Sequence, residues 1–522
     1  MPIINTNTFW NYIINESESV IDMAKKLLTR EDKDYQTGKV TVGTYYQVVS
    51  EIEIDLERYT TIRFPSGLTR YLSLFLMVEV IDKPREFDKI TKEDIYKKAN
   101  EIAKINEKYE VRNYQIDAVY SSLFRFNSLI QSSTGSGKTS IMCLLVELLE
   151  NKRVLITNGN NFILQQIYDR LISFGETDIS WNKSADPDYT KRIIIINTSS
   201  SDVRLNRQDQ DYIDFLKTVQ LWCIDECSHF QSITNFEPLF YMDPNVLEHV
   251  VGYTATPFRE YKSPYSDPLD YTLIALLGEP AFKYDMKDTI ADKNIAQPYS
   301  YFIRYKNIPS KIPAWLADNY FMQYRSNILN NKNRNTAGFA MIKFLNEYNI
   351  KTLVSFNNIK PGQKLLKQLT EEGVKALFIC GNETIYEYKK NTRGTLKLEE
   401  RKGNVEDVKK ALLNGYNVIL ASQVFDEGVD IEIFQAAILF SAGKSPIKIL
   451  QVSGRASRKK AVNNISFIID FKDVGGHHIF QKQYEKRKEL LEDSGIKNID
   501  DVYKFMEMIK EIGHKNNELK KL

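Results

Sequence analysis

The chain has 522 residues, and Lys plus Arg (70) nearly balance Asp plus Glu (68). This length leaves room for three or four domains at about 150 residues each, and the even balance excludes a global positive field holding the protein on a polyanion, so any basic track must be local. No run is long and apolar enough to span a membrane, and Met1 to Asn15 lacks a charged start and apolar core, which predicts a soluble cytoplasmic protein without membrane contact.

Residues 1–105 read as an accessory α+β domain. Glu51 to Leu56 alternates strictly, as a strand with one wet face does. Tyr59 to Phe64 could pair with it, and Pro65 opens a helical pattern through Leu68, Tyr71, Leu72 and Phe75. The aromatics Tyr45, Tyr46, Tyr59, Phe64 and Tyr71 suit a core better than a stacking platform. No catalytic constellation is present. A charged helix, Lys92 to Tyr109, leads onward.

Residues 106–305 carry the first chemistry. Tyr114-Gln115 stands where Gln115 could read an adenine edge by donating and accepting, with Arg112 assisting. A short apolar strand, Ser128 to Gln131, is followed by Ser132-Ser133-Thr134-Gly135-Ser136-Gly137-Lys138-Thr139-Ser140 and the apolar helix Ile141 to Leu149. Ser133 through Ser140 form a phosphate cradle of backbone N–H groups. Lys138 supplies a point charge for the β/γ-phosphates, and the Thr139 hydroxyl suits Mg²⁺. Ser132 stands where the usual pattern has glycine. A strand before and a helix after predict that the segment binds a nucleoside triphosphate.

Val154 to Asn158 reads as a strand, followed by a helix through Leu164, Gln165 and Ile167. Ile193 to Ile196 is a fully buried strand ending in Asn197, Thr198 and Ser199. The amides and hydroxyls of Asn158, Gln165 and Thr198 suit phosphate contacts that carry no sequence information, or ordinary capping. Leu221 to Asp225-Glu226 is a buried strand ending in two carboxylates: Asp225 would reach Mg²⁺, and Glu226 would orient water and take its proton. Thr254-Ala255-Thr256-Pro257 ends another strand, where Thr254 and Thr256 fit a turn or cap as well as a functional role.

Residues 306–485 read as a second α/β domain with strands at Thr352 to Phe356, Ala376 to Cys380, Asn417 to Leu420, Ala436 to Ser441 and Ile465 to Phe471. Asn382 to Thr395, with Lys389, Lys390 and Arg393, reads as an extended loop. Ser422 closes the Asn417 strand, and Gly428-Val429-Asp430 follows. Gln451, Gly454, Arg455 and Arg458 share one helix, and the two arginines share one face. That face could be solvated, continuing into Lys459 and Lys460, or could aim both guanidinium forks at one polyanion. Residues 486–522 form a charged helical tail. Cys143, Cys223, Cys227 and Cys380 have no zinc spacing, and His477-His478 reads as a turn before a helix.

Taken together, Tyr114-Gln115, Ser132 to Thr139, Asp225-Glu226, Thr254 to Pro257, Gly428-Val429-Asp430 and Gln451-x-x-Gly454-Arg455-x-x-Arg458 occur in the order of the superfamily 2 helicase motifs, over residues 110 to 480. Within that superfamily the chain most resembles the UvsW-type phage helicases, relatives of RecG and the type III restriction ATPases. Leu276 to Phe282 with Asp292 to Ala296, Gly443 to Leu450, and Arg63 to Leu68 carry this narrower likeness.

The resemblance implies two tandem RecA-like P-loop domains, an ATP-binding domain at 106–305 and a helicase C-terminal domain at 306–485, using ATP and Mg²⁺. The site residues it implies are Lys138, Asp225 and Glu226, with Gly428, Asp430, Gln451, Arg455 and Arg458 completing the ATP site, and Asn158, Gln165, Thr198 and Ser422 on nucleic acid. It also implies a monomeric motor on single-stranded and branched DNA, acting in recombination, repair or branch migration, in the host cytoplasm if the chain is viral. A restriction or defence ATPase subunit, a nucleotide switch that clamps nucleic acid without moving, and a helicase on RNA or RNA–DNA hybrids are the alternatives. The family writes its acidic box Asp-Glu-x-His. Here Ser228 holds the fourth place and His229 the next, so coupling to Thr254 and Thr256 falls to Ser228 by preference, or to a displaced His229.

Overall fold

A computed structural model describes residues 89–519 apart from 182–185, 230–232, 259–266, 381–383, 391–394, 404, 423–433, 442–445 and 458–463. Before residue 89 it describes 2–5, 10–13, 18–33, 40–44, 47–54, 57–65, 68, 72, 76 and 79–82. The chain divides into two compact units, residues 1–132 with 137–284, and residues 133–136 with 285–522.

The first unit is built on a seven-stranded sheet in the order 179–180, 193–197, 154–158, 221–225, 249–254, 127–132, 280–284. Every pairing in it is parallel. Parallel sheets are covered on both faces, so their strands are apolar throughout rather than alternating. Ile193–Asn197 (IIIIN) and Leu221–Asp225 (LWCID) have that character and are buried along their apolar length. The strand carrying the phosphate loop, Asn127–Ser132, lies inside the sheet, so the loop sits at the carboxyl edge of a rigid layer.

The amino-terminal strands Pro2–Asn5, Trp10–Ile13, Gln47–Ile54, Glu57–Pro65 and Glu79–Asp82 form a five-stranded sheet. This sheet is not an independent body. Ile13, Ala24, Leu28, Phe64, Leu68 and Leu72 are buried in the same core as Trp222, Phe236, Leu273 and Leu277. The Tyr271 hydroxyl donates to the Leu27 carbonyl at 3.0 Å. The helix Lys92–Ile105, started by a Thr91–Asp94 capping box, buries Ile95, Ala99 and Ile102 against the phosphate-loop helix and its neighbours.

The second unit holds a nine-stranded sheet in the order 396–402, 384–390, 376–380, 418–422, 352–356, 436–439, 465–472, 297–304, 497–499. Its strands are parallel except where 384–390 meets its two neighbours. Two tandem, mostly parallel α/β sheets of this kind are RecA-like domains.

Three sequence expectations change here. The strand Gln297–Arg304, placed by sequence in the first domain, pairs along its whole length with Ile465–Lys472 and so belongs to the second sheet. The described part of the expected 382–395 loop is instead strand Thr384–Lys390, paired antiparallel with Leu396–Lys402. Its mixed charges, such as Lys389 with Glu399 at 2.7 Å, lie across the hairpin. The expected tail 486–522 is not detached either. Lys497–Ile499 adds a ninth strand, and Phe505, Ile509 and Ile512 of helix Val502–Leu519 are buried in the second core.

Beneath that sheet, Arg487 bridges Asp470 (2.6 Å) and Asp473 (2.9 Å), and the Tyr305 hydroxyl donates to Asp473 at 2.6 Å. Arg334 stacks over Phe471 at 3.8 Å and donates to the Phe440 carbonyl. Full burial of this many charges is tolerated because each cation meets carboxylates, carbonyls or a ring face.

Candidate active site

The site begins with backbone geometry. Gly137 ends the loop in the left-handed region (φ 85, ψ 40), directly before helix Lys138–Leu148. The conformation is one that favours glycine, and a Cβ there would stand 2.7 Å from Gln115 Nε2 and displace that amide. Gly135 also has positive φ (88). The Ser136 hydroxyl donates to the Ser133 carbonyl at 2.6 Å, closing the turn, and Ser133 hydrogen-bonds the Thr289 hydroxyl. Unsatisfied N–H groups at the start of the Lys138 helix, with its dipole, favour an anion at this point.

Lys138 Nζ lies 2.5 Å from Glu226 Oε1, with the two side chains only 11% and 12% exposed. Glu226 is itself a backbone exception, a non-glycine residue at φ 49. That conformation costs about 1–2 kcal/mol and turns the side chain back from the end of the Leu221–Asp225 strand. Asp225 is buried and accepts weakly from the Asn158 amide at 3.3 Å, while the same amide also reaches the Asp225 carbonyl at 3.2 Å. Burial foremost, then the neighbouring Glu226 charge, holds the Asp225 carboxyl well above its ordinary range; Lys138 and Asn158 act in the opposite direction.

Two carboxylates therefore face one ammonium. This donor set, with the Thr139 hydroxyl one residue into the helix, fits a hard divalent cation accompanying a polyphosphate. Thr139 and Asp225 would hold it.

A chain of hydroxyls continues from Glu226. Thr254 Oγ1 lies 3.0 Å from Ser228 Oγ and 3.5 Å from Glu226 Oε2, and it accepts from the Thr256 N–H at 3.3 Å. Thr254 and Ser228 are both buried. Gly252, two residues earlier on the strand, is held small because a Cβ there would stand 2.3 Å from Leu277 Cδ1 and 2.9 Å from Cys227 Sγ.

At the other side of the loop, Gln115 is buried against Gly137. The Tyr114 ring stacks on Tyr284 (4.0 Å, 5°), and Arg112 donates to the Tyr114 hydroxyl at 3.0 Å while pairing with Glu110. Tyr284, at the end of the edge strand Pro280–Tyr284, was not singled out by sequence; its place beside the loop follows only from strand order.

The expected nucleic-acid contacts fare differently. Asn158 is buried with its amide on Asp225, so it braces the acidic strand instead of facing outward. Gln165 is engaged by Trp181 (3.0 Å) and Asp169 (2.9 Å) on the surface. Thr198 opens the helix capped by Asn197. Ser422 closes its strand, buried, beside Cys380 and Phe356. In the second unit Gln451, Arg455 and Gly454 lie on helix Pro446–Ala456, and Gln451 is buried. Gly428, Asp430 and Arg458 lie outside the described residues, as do the side chains of Arg455 and His229. Cys143, Cys223, Cys227 and Cys380 are free and buried. Among the described residues no helix is long and apolar enough to cross a membrane.

A phosphate loop backed by Lys138, Asp225 and Glu226, on the first of two tandem RecA-like sheets, defines an ATP-driven motor. Sequence comparison agrees: the type III restriction enzyme res subunit family matches residues 108–259, and the helicase conserved C-terminal domain matches residues 339–460. The chain is a superfamily 2 helicase, an ATP-dependent enzyme of nucleic acids.

A protein named "Putative helicase 22" of the Sulfolobus islandicus filamentous virus (isolate Iceland/Hveragerdi) is 27% identical across 94% of this chain and 83% of its own length. "DNA 3'-5' translocase XPB2" of Sulfurisphaera tokodaii is 23% identical across 73% and 86%. Among solved structures, S. cerevisiae Dbp5 superposes with TM-score 0.51 at 13% identity, over 80% of this chain and 97% of its own, a likeness of fold. T4 UvsW aligns over 96% and 99% at 16% identity with TM-score 0.39, which adds no weight by itself.

Proposed function

We propose that the protein is a DNA translocase that separates or remodels branched DNA, driven by ATP hydrolysis at Lys138, Thr139, Asp225 and Glu226. The observation that carries the reading is Thr254. Its buried hydroxyl, at the end of the neighbouring strand, lies 3.5 Å from the Glu226 carboxylate and 3.0 Å from Ser228 Oγ, so Thr254 joins the two. A site that only bound nucleotide would need no link between the base and an adjoining strand end. Ser228 thus takes the coupling role that a histidine holds in the family pattern.

In this mechanism, arriving phosphates draw Lys138 away from Glu226. The freed carboxylate then turns to the attacking water and takes its proton at an Oε atom. Bound Mg²⁺ would supply charge neutralisation at the β- and γ-oxygens. Gln115 orients the base, with Arg112 and the Tyr114–Tyr284 stack beside it. Arg455 and Arg458 stabilise charge building on the γ-phosphoryl group, and Gln451, Gly428 and Asp430 complete that half of the site. Loss of the γ-phosphate relaxes the Glu226–Thr254–Ser228 link, and alternating grip moves the motor along one strand.

DNA is favoured as the track by the similarity to a protein named as a DNA translocase over most of both chains. The amino-terminal sheet would hold a branch while one strand is pulled. A panel of duplex, fork, four-way junction and RNA–DNA hybrid, scored for ATP-dependent strand separation, tests the proposal. Fork and junction should separate fastest. Hybrid-only activity would move the reading to RNA, and recovery of a stoichiometric nuclease partner would move it to a restriction complex.

A further inference from the structure

Between strand Gln297–Arg304 and helix Lys332–Glu347 runs a segment that the ATPase reading does not use. It displays large apolar side chains to solvent: Trp315 is 81% exposed, Phe321 62%, Ile308 59% and Tyr320 47%. The exposure is not slack. Gln323 Nε2 donates to the Ala317 carbonyl at 2.6 Å, and the Ser326 hydroxyl donates to the Ser310 carbonyl at 2.7 Å. Asn327 Oδ1 accepts the His477 N–H at 3.0 Å, and Asn331 donates to Asn307 at 2.5 Å. Directly after the short helix Tyr320–Tyr324, residues Arg325–Leu329 form a π-helical turn, a distortion that recurs at functional sites.

Charge along the segment is one-sided. From residue 304 to 325 the segment carries Arg304, Lys306, Lys311 and Arg325 against a single acid, Asp318. All four cations are exposed, and none is in an ion pair among the described residues. Topology fixes the location. Gln297–Arg304 runs parallel to 465–472, 436–439, 352–356 and 418–422, so the segment leaves the sheet on the edge where Ser422 closes its strand. At the end of the π turn and just beyond it, Leu329, Asn330 and Lys332 line a cleft of about 670 Å³ with Phe339, Phe356 and Phe440.

We propose that Trp315 and Phe321, on a segment that carries these four exposed cations, form a stacking platform for the bases of single-stranded DNA on the second RecA-like domain. Exposed rings on a cationic segment are what sequence-independent single-strand binding needs, since every base has a π-face and every nucleotide a phosphate. A second copy of this chain would need an interface without four like charges facing one another, which makes it the weaker occupant. The proposal rests on the DNA reading above.

The test uses the full-length protein, Trp315→Ala, Phe321→Ala, the double variant and the conservative Trp315→Phe. Binding is read without ATP, as anisotropy of labelled oligo(dT) and of an abasic oligomer of equal length, with thermal melting as a check on folding. Loss of one ring should weaken oligo(dT) binding about tenfold and of both more than fiftyfold. Abasic binding should stay within about twofold, and Trp315→Phe should recover most of the loss. Equal weakening on both oligomers, or none on either, overturns the platform. So does a wild-type dimer that Phe321→Ala dissolves. Because binding is scored without hydrolysis, an intact platform on a protein that separates no strands would sink the motor reading alone.

Discussion

The contact between Lys138 and Glu226 makes a quantitative demand on nucleotide binding. In the free protein the lysine proposed to meet phosphate is held by the proposed base, at 2.5 Å and nearly shielded from water. Two unit charges at that distance attract by about 7 kcal/mol at an effective dielectric of 20. After desolvation, hydrogen bonds to charged groups retain about 1.5–3 kcal/mol. Nucleotide binding must give that up, so Glu226→Gln should bind a non-hydrolysable ATP analogue about 10- to 100-fold more tightly than wild type. The same substitution should lower turnover by at least about 10²-fold, because a positioned base is lost. Fluorescent-nucleotide displacement gives the first number and single-turnover phosphate release the second. Unchanged or weaker analogue binding would show that the pair is not a brake on binding. Turnover of half the wild-type rate or more would remove Glu226 as the base.

Other outcomes follow from the same geometry. Ser228→Ala should leave DNA-stimulated ATPase within about threefold while cutting strand separation more than tenfold, read as base pairs opened per ATP; equal loss of both would make Ser228 merely structural. Asp225→Asn should abolish turnover yet raise the melting temperature of the nucleotide-free protein. Its carboxyl is pushed up from an ordinary 3.8 mainly by burial, so the folded state resists its ionisation and loses stability as pH rises above that value. The melting difference should therefore widen from pH 5 to pH 8, and a constant difference would refute the burial argument. Gly137→Ala should weaken nucleotide binding by at least about tenfold, since alanine is strained at φ 85 and its methyl displaces the Gln115 amide; unchanged binding by calorimetry would show that the loop tolerates the strain. A protein beginning at residue 106 should be insoluble, because it uncovers the surface that Ile95, Ala99 and Ile102 bury; a soluble, cooperatively melting product would contradict that.

Much of the motor could be read directly. The phosphate loop carries its own punctuation, and strands such as Ile193–Asn197 and Ala376–Cys380 announce themselves because both faces are covered, leaving uninterrupted apolar runs. Less could be read where two distant segments decide the outcome. Asn158 looks the same in sequence whether it faces solvent or turns inward, and only the adjacency of its strand to Leu221–Asp225 delivers the amide to Asp225. The pairing of Lys138 with Glu226 depends on one residue at positive φ, which glutamate composition does not reveal. The hairpin of 384–402 was obscured by its lysines, which suggested a solvated loop although Ile385 alternates inward on the strand. The last helix looked like a charged tail because Phe505, Ile509 and Ile512 are a narrow stripe among polar neighbours.

That last helix bears on how the protein is made. Domains tend to fold as units in the order of synthesis, and the first unit contains all that its sheet requires by Tyr284. The second unit cannot close until much later. Strand Gln297–Arg304 stays an open edge until Lys497–Ile499 arrives, and Tyr301 lacks its stacking partner until Phe505 is in place (4.2 Å, 11°). A ribosome working through the two hundred residues between 300 and 500 therefore carries a finished first sheet together with an unsealed apolar second one. Chaperone dependence of this enzyme should be concentrated in that interval of translation, and a premature stop there should yield aggregate rather than a shortened motor.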